Sequence, residues 1–231
     1  MTQSPSDKSV RDIYEDALGS RLDGPEISLG PWASLDLMND PKRLTFVLSR
    51  YKFVAKMLAG KGKVMEVGCG DALGLPIVAN AVGHLDAIDW DRRLIDSNKR
   101  RLTHLTNVSF LDHDLNLSAV PFRVDAIYSV DVIEHIDPAG EARFMQNQMA
   151  ALLRTGVMII GTPNQTASAY ASPQSEIGHI NLKTFATLKG LMERYFDNVF
   201  MFGMNDEVLH TGYAPMCHYL WAIGAGVREH Q

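Results

Sequence analysis

Four segments of this chain put glycines and carboxylates where a short apolar run ends. The first is Val64-Met65-Glu66-Val67-Gly68-Cys69-Gly70-Asp71-Ala72-Leu73-Gly74. Glycines there let the backbone take positive φ and approach a ligand closely. Glu66, two residues before Gly68, suits a positively charged ligand group better than a pyrophosphate. Cys69 reads as a small buried contact rather than a nucleophile. The second segment is Ala87-Ile88-Asp89-Trp90-Asp91, about 20 residues further on, where an acid commonly hydrogen-bonds ribose hydroxyls. Asp89 is the candidate, and Trp90 could stack on a base or ribose edge. The plain alternative is that Asp89 or Asp91 caps the following helix. In the third segment, Phe110-Leu111-Asp112-His113-Asp114-Leu115, a carboxylate can accept an adenine amino hydrogen, Asp114 ahead of Asp112. The fourth, Ile127 to Ile136, contains Ser129, Val130, Asp131, Glu134 and His135 and should border the same crevice. A lone Gly-x-Gly also occurs in ordinary tight turns.

The elements that must position these residues follow from periodicity. Short apolar runs occur at Val64 to Val67, Leu85 to Ile88, Val108 to Leu111, Val124 to Ser129 and Val157 to Ile160. Helical patterns lie between several of them, for example Glu141 to Leu153. Buried runs alternating with helices indicate a parallel sheet covered on both faces. Ligands bind beyond the carboxyl ends of such strands. Two further apolar runs, Asn198 to Phe202 and Met216 to Ile223, suit an antiparallel pair at one sheet edge. A helix over Thr184 to Phe196 precedes them. Upstream, Val10, Ile13, Tyr14, Ala17 and Leu18 form one helical stripe. Residues 19–39 read as an irregular connector containing Trp32. Asp40-Pro41 reads as a cap and first turn of a helix reaching about Leu58, stopped by Gly60 and Gly62.

Composition sets the outer bounds. The chain has 231 residues, 46% hydrophobic and 21% charged, with 22 Lys plus Arg against 27 Asp plus Glu. That is an ordinary globular mix, large enough for a real core. The formal charge of -5 argues against binding driven by nucleic-acid phosphates. Cys69 and Cys217, the two cysteines, exclude a disulfide scaffold or multi-cysteine zinc module and fit a reducing compartment. No apolar run approaches a membrane span, and the polar start lacks an apolar h-region. A cytoplasmic protein without membrane or nucleic-acid partners is the expectation.

These pieces together resemble the class I S-adenosylmethionine-dependent methyltransferases. The resemblance covers about residues 40–225 and rests on five pieces in order: Val64–Gly70, Asp89, Asp114, Glu134-His135-Ile136 and Gly161-Thr162-Pro163-Asn164. It implies an α/β fold, a Rossmann-like open sheet of seven strands, mostly parallel with an antiparallel last strand and helices on both faces. Residues 1–40 would then be a helical extension and 41–231 the methyltransferase domain. The resemblance assigns Glu66, Gly68, Cys69 and Gly70 to the methionine part of S-adenosylmethionine. It gives Asp89, with Trp90, to the ribose side, Asp114, with Leu115, to the adenine, and the Ser129 and Val130 backbone to the methyl-donor pocket. Ala72 stands where many members have a third glycine. The Glu134-His135 signature looks like the branch acting on small molecules, including quinone precursors and sugars. Leu29-Gly30-Pro31-Trp32 and Ser49-Arg50-Tyr51-Lys52-Phe53 have a weak flavour of saccharide-modifying members.

Methyl transfer from a sulfonium needs alignment and desolvation, and an alcohol acceptor also needs a base or a metal. His179, just before the Thr184 helix, is the leading base or acceptor contact. Its bland alternative is a helix-entry residue bonded to its own loop. His135 is the second candidate, or it orients the loop. Tyr170 and His113 could form walls, whereas His210 and His218 read as structural or exposed. Asp131, Glu134 and His135 could bind a divalent cation, but no metal is assigned, since acids also gather at helix starts. The Val10–Leu18 helix could be a lid, core packing or a homodimer contact.

Two rivals stay in view. An NAD(P)-dependent oxidoreductase also uses a strand, a glycine turn and a later acid. The spacing Gly68-x-Gly70-x-x-x-Gly74 departs from its pattern, and no Tyr-x-x-x-Lys pair exists. A non-catalytic cofactor-binding accessory protein of the same fold is the other. The reading is a small-molecule methyltransferase with an oxygen acceptor. A sugar or nucleotide sugar comes first and a phenol or quinone precursor second.

Overall fold

In the computed structural model, residues 8–22, 24, 26–170 and 178–228 are described. The apolar runs become β1 (Lys63–Val67), β2 (His84–Asp89), β3 (Val108–Asp112), β4 (Val124–Val130) and β5 (Leu152–Pro163). The tail gives β6 (Phe196–Asn205), β7 (Val208–His210) and β8 (Tyr219–Val227). Helices are α1 (Val10–Leu22), α2 (Pro31–Asn39), α3 (Lys42–Leu58), α4 (Leu75–Ala79), α5 (Arg92–Arg101), α6 (Glu141–Ala151) and α7 (Phe185–Glu193).

The strands form one sheet in the order β3-β2-β1-β4-β5-β8-β6-β7. β3, β2, β1, β4 and β5 pair in parallel. The chain starts at β1, runs outward to β3, then returns to the far side of β1. The β1–β4 boundary is therefore the switch point, where the carboxyl ends diverge into a crevice.

Alternation along β1 sorts the core into two layers. Val64 and its neighbours Ala87, Ala126 and Tyr128 pack with Val54 and Leu58 of α3, Leu75 of α4 and Ile95 of α5. Met65 and Val67 face the other way, onto Phe144 and Met145 of α6 and Leu188 and Leu191 of α7. Gly60, at φ +80°, ends the run that follows α3.

Several expectations need correction. The sheet has eight strands among the described residues, not seven, because the short β7 adds to β6. The expected antiparallel pair is present at one end of the sheet, with β8 between β5 and β6, antiparallel to both, and β7 outermost. The β8 side chains Trp221 and Leu220 fill both layers. The connector at 19–39 contains α2, anchored by buried Ala33 and by the Ala33 N–H donating to Asp71 at 2.8 Å. Asp40 does not cap α3; Pro41 holds that position with no side-chain cap. α7 spans Phe185–Glu193, shorter than expected, with Thr184 as its cap. β8 starts at Tyr219 because 214–216 form a 3-10 turn. Among the described residues no helix is long and apolar enough to cross a membrane.

Candidate active site

The glycine loop leaves β1 with Gly68 at φ +71° and Gly70 at φ +53°. A Cβ on Gly68 would lie 2.5 Å from Val132 Cγ2, so the loop passes tightly under the β4 loop. A Cβ on Gly70 would meet nothing within 4 Å, so that glycine borders open space at the crevice. Ala72 also takes positive φ, +59°, which explains why a glycine would suit that position.

Three side chains fix the loop. Asp89, at the end of β2, accepts the Gly70 N–H at 2.9 Å and the Asp91 N–H at 2.8 Å. Each of its oxygens keeps a further lone pair for a ligand. Asn98 Nδ2 of α5 donates to the Gly70 carbonyl at 2.8 Å, and Arg101 donates to the Asp71 carbonyl at 2.7 Å. Arg101 also reaches Ser28 O at 3.2 Å, tying the segment before α2 to the loop. Asp91, rather than Asp89, caps α5 by accepting the Arg93 N–H. Trp90 follows Asp89 with 69% of its surface exposed. Cys69 is buried in the loop, and burial pushes its thiol well above the usual range, keeping it protonated.

Glu66 lies beneath this loop, almost wholly buried. It accepts the Tyr51 hydroxyl hydrogen at 2.8 Å. The Tyr128 hydroxyl leans toward it without closing a hydrogen bond, and Glu66 Oε2 has no partner among the described residues. Burial pushes this carboxyl up to about 7, despite the Tyr51 bond. Asp114, past β3, accepts the Asn116 backbone N–H at 2.8 Å and so shapes its own turn, with Leu115 buried beside it. Ser129 and Val130 are buried at the end of β4.

Beyond β4 the polar groups change character. Asp131, at φ +57°, pairs with Arg50 of α3 at 2.6 Å. The Arg50 guanidinium also lies 4.0 Å above the Tyr219 ring. Phe46, Arg50, Met204, Asp206, His218 and Tyr219 line a cavity of about 70 Å³ there. Gly161 permits this packing, since a Cβ would come 2.8 Å from the Tyr219 hydroxyl. A 3-10 turn over Ile133–His135 follows. Glu134 is fully buried; Oε2 accepts the Thr162 hydroxyl hydrogen at 3.0 Å, while Oε1 has no partner among the described residues. Burial and the neighbouring Asp131 carboxylate raise the Glu134 pKa.

His135 and His179, far apart in sequence, meet here with ring centroids 4.9 Å apart. The backbone N–H groups of Ile180 and Asn181 both donate to the Glu134 carbonyl at 2.9 Å, docking the 178–181 segment on the turn. Lys183 and Asn181 reinforce it through Glu141. Tyr170 is exposed, and His113 bonds the Ser118 carbonyl. His210 bonds the Gly212 N–H at 3.0 Å within the tail, and His218 is exposed.

A family model described as a methyltransferase domain matches residues 64–156, the stretch from the glycine loop to β5. Over this stretch, less than half of the chain, the protein is similar to a methyltransferase domain. A probable S-adenosylmethionine-dependent methyltransferase of Mycobacterium tuberculosis is 27% identical over 105 residues, 44% of this chain and 36% of that protein. The mitochondrial ubiquinone biosynthesis O-methyltransferase of Arabidopsis thaliana is 30% identical over 156 residues, 63% of this chain. The match spans 47% of the plant protein, so the chain covers less than half of either relative. The N-methyltransferase NodS of Bradyrhizobium japonicum, solved with S-adenosyl-L-homocysteine, superposes with a TM-score of 0.60. That match covers 91% of this chain and 97% of NodS at 16% identity, a likeness of fold. The methyltransferase fit agrees with the orphaned Glu66 oxygen and with the open space beside Gly70.

Sequence reasoning missed Asn98, Arg101 and Tyr219, and it singled out Arg50 without its pairing to Asp131. Asn98 had a signal: it falls between Ile95 and Leu102 on the buried stripe of α5, a polar residue where an apolar one would be expected.

Proposed function

We propose that this protein methylates a hydroxyl oxygen of a small-molecule acceptor, using S-adenosylmethionine. In this reading Glu66 and the 68–70 loop face the methionine end, Asp89 the ribose, Asp114 the adenine, and Ser129 with Val130 the methyl. S-adenosylmethionine, when bound, supplies a methyl already activated on a sulfonium. The chain must hold donor and acceptor in line, exclude water and take a proton from the acceptor.

The observation that carries the oxygen acceptor is the pairing of His135 with His179 beside buried Glu134, in the turn that follows β4. Imidazoles there can either accept the hydroxyl proton or hold an ion that acidifies the hydroxyl. The likeness to ubiquinone biosynthesis O-methyltransferases favours a ring hydroxyl of a quinol or catechol as the first acceptor to try. A saccharide acceptor has less support. Gly30, Arg50 and Tyr51, which suggested it, are engaged with Asp71, Asp131 and Glu66 inside the chain.

The test is methyl transfer from labelled S-adenosylmethionine to catechols, hydroquinone monoethers and sugar nucleotides, read by mass spectrometry of the product. Transfer to a ring hydroxyl, lost in His179→Ala, supports the proposal. Transfer to nitrogen acceptors alone would overturn it. So would cofactor binding with no turnover on any class, which marks an accessory protein.

A further inference from the structure

We propose that Glu134, His135 and His179 form a site for a divalent transition-metal ion on the acceptor side of the crevice. One ligand atom from each residue lies within 4.8 Å of the other two, a span a single cation can bridge with small side-chain adjustments. Three further features mark the cluster as built rather than incidental.

The first is the unpartnered Glu134 Oε1, buried without a hydrogen bond among the described residues. A buried carboxylate oxygen without a donor is costly unless something cationic completes it. The second is orientation from behind. Thr162 fixes the other Glu134 oxygen at 3.0 Å. His135 Nδ1 lies 2.9 Å from the Gly178 carbonyl, which can only accept, so Nδ1 carries the hydrogen. In the neutral ring, Nε2 then holds the lone pair. A backbone carbonyl setting the tautomer of a ligating histidine is the usual outer support of a metal site. The third is the direct hold on the segment carrying His179, whose next two residues donate their N–H groups to the Glu134 carbonyl.

Burial grades from Glu134, sealed, through His179 to exposed His135. The site thus opens outward into a groove of about 690 Å³ lined by Asn116, His135, Asp137, Arg143 and Ile180. Two imidazoles and one carboxylate suit Mn, Fe, Co or Zn better than Ca or Mg, which prefer oxygen cages. Three protein ligands leave coordination positions open on the groove side. A hydroxyl taken there would be acidified and lose its proton to solvent, with no change in oxidation state. This role rests on the oxygen-acceptor reading; binding of the ion does not.

The experiment uses the full chain, stripped with chelator. It is titrated with MnCl2, followed by loss of the free-ion electron paramagnetic resonance signal, and with ZnCl2 by calorimetry. His179→Ala, Glu134→Gln and the control His210→Ala are run alongside, each also titrated with S-adenosylhomocysteine. The expected result is one saturable site at micromolar Mn or Zn, weakened at least about tenfold in His179→Ala and unchanged in His210→Ala. S-adenosylhomocysteine affinity in His179→Ala should stay at the wild-type value, showing an intact fold. Should Glu134→Gln misfold, His179→Ala alone decides. No saturable binding below millimolar, or binding indifferent to His179→Ala, overturns the site. Normal S-adenosylhomocysteine binding with no metal binding defeats this inference alone. Metal binding without methyl transfer to any hydroxyl defeats the acceptor reading alone.

Discussion

The two sides of the crevice are made differently. On the β1–β2 side, the polar groups of the glycine loop are engaged within the chain: Asp89, Asn98 and Arg101 hold Gly70 and Asp71 from three directions. On the β4–β5 side, Asp131 Oδ1, Glu134 Oε1, the Tyr219 hydroxyl and Trp221 Nε1 are all buried without hydrogen-bond partners among the described residues. Buried polar groups are normally satisfied, so a cluster of exceptions calls for a reason. The contrast teaches that the glycine loop is held by the chain itself, whereas the proposed acceptor side keeps more unpartnered atoms, with Glu66 Oε2 and the Tyr128 hydroxyl the exceptions beneath the loop. Low reorganisation suits a donor common to many enzymes. Unspent polar capacity suits recognition of one particular acceptor.

The largest break in this comparison should come from Gly68→Ala. The new Cβ meets Val132 while the backbone holds φ +71°. S-adenosylhomocysteine affinity should fall about a hundredfold, about 2.7 kcal/mol by calorimetry. Glu66→Gln tests burial on the same side. The folded carboxyl sits at about 7, above its ordinary value of 4.5, so the native state binds the proton more tightly. Its stabilising contribution is full below pH 4.5 and disappears as pH rises through about 7. Tyr51, Tyr128, Cys69 and Asp89 are the titratable groups facing it. Glu66→Gln should therefore gain on wild type between pH 5 and 8, by on the order of 2 kcal/mol in urea melts.

Arg50→Met probes the other side. It leaves Asp131 without its cation and should cost about 1–3 kcal/mol, less than a fully buried pair because both groups keep some solvent contact. Asp131→Asn should recover part of that loss in the double variant, measured by thermal unfolding. The smallest effect belongs to Ala72→Gly. Relief of the left-handed backbone, offset by glycine entropy, should stabilise by about 0.5 kcal/mol. The same variant should leave S-adenosylhomocysteine affinity unchanged.

The donor side was largely legible in the sequence because its parts are local. Gly68, Gly70 and Asp89 end strands that announce themselves as apolar runs, and the parallel order follows from alternation with helices. The acceptor side was not, because its contacts join distant segments. Nothing near Arg50 signals Asp131, and nothing near His135 signals His179, although each histidine was a candidate alone. β7 escaped notice because three residues carry no periodicity, and the order of strands within the tail was not legible because pairing order is not written in a single strand. α2 was hidden by Gly, Pro and Ser in its approach, although Pro31 is a good helix start.

The most direct test of a preorganised donor site at the β1–β2 ends is calorimetric titration of S-adenosylhomocysteine into wild type and Asp89→Ala. Asp89 braces Gly70 and offers its remaining lone pairs to the ligand. The account predicts micromolar binding to wild type, weakened at least about tenfold in the variant. Equal affinity in both proteins, or wild type that binds NAD and not S-adenosylhomocysteine, would contradict it.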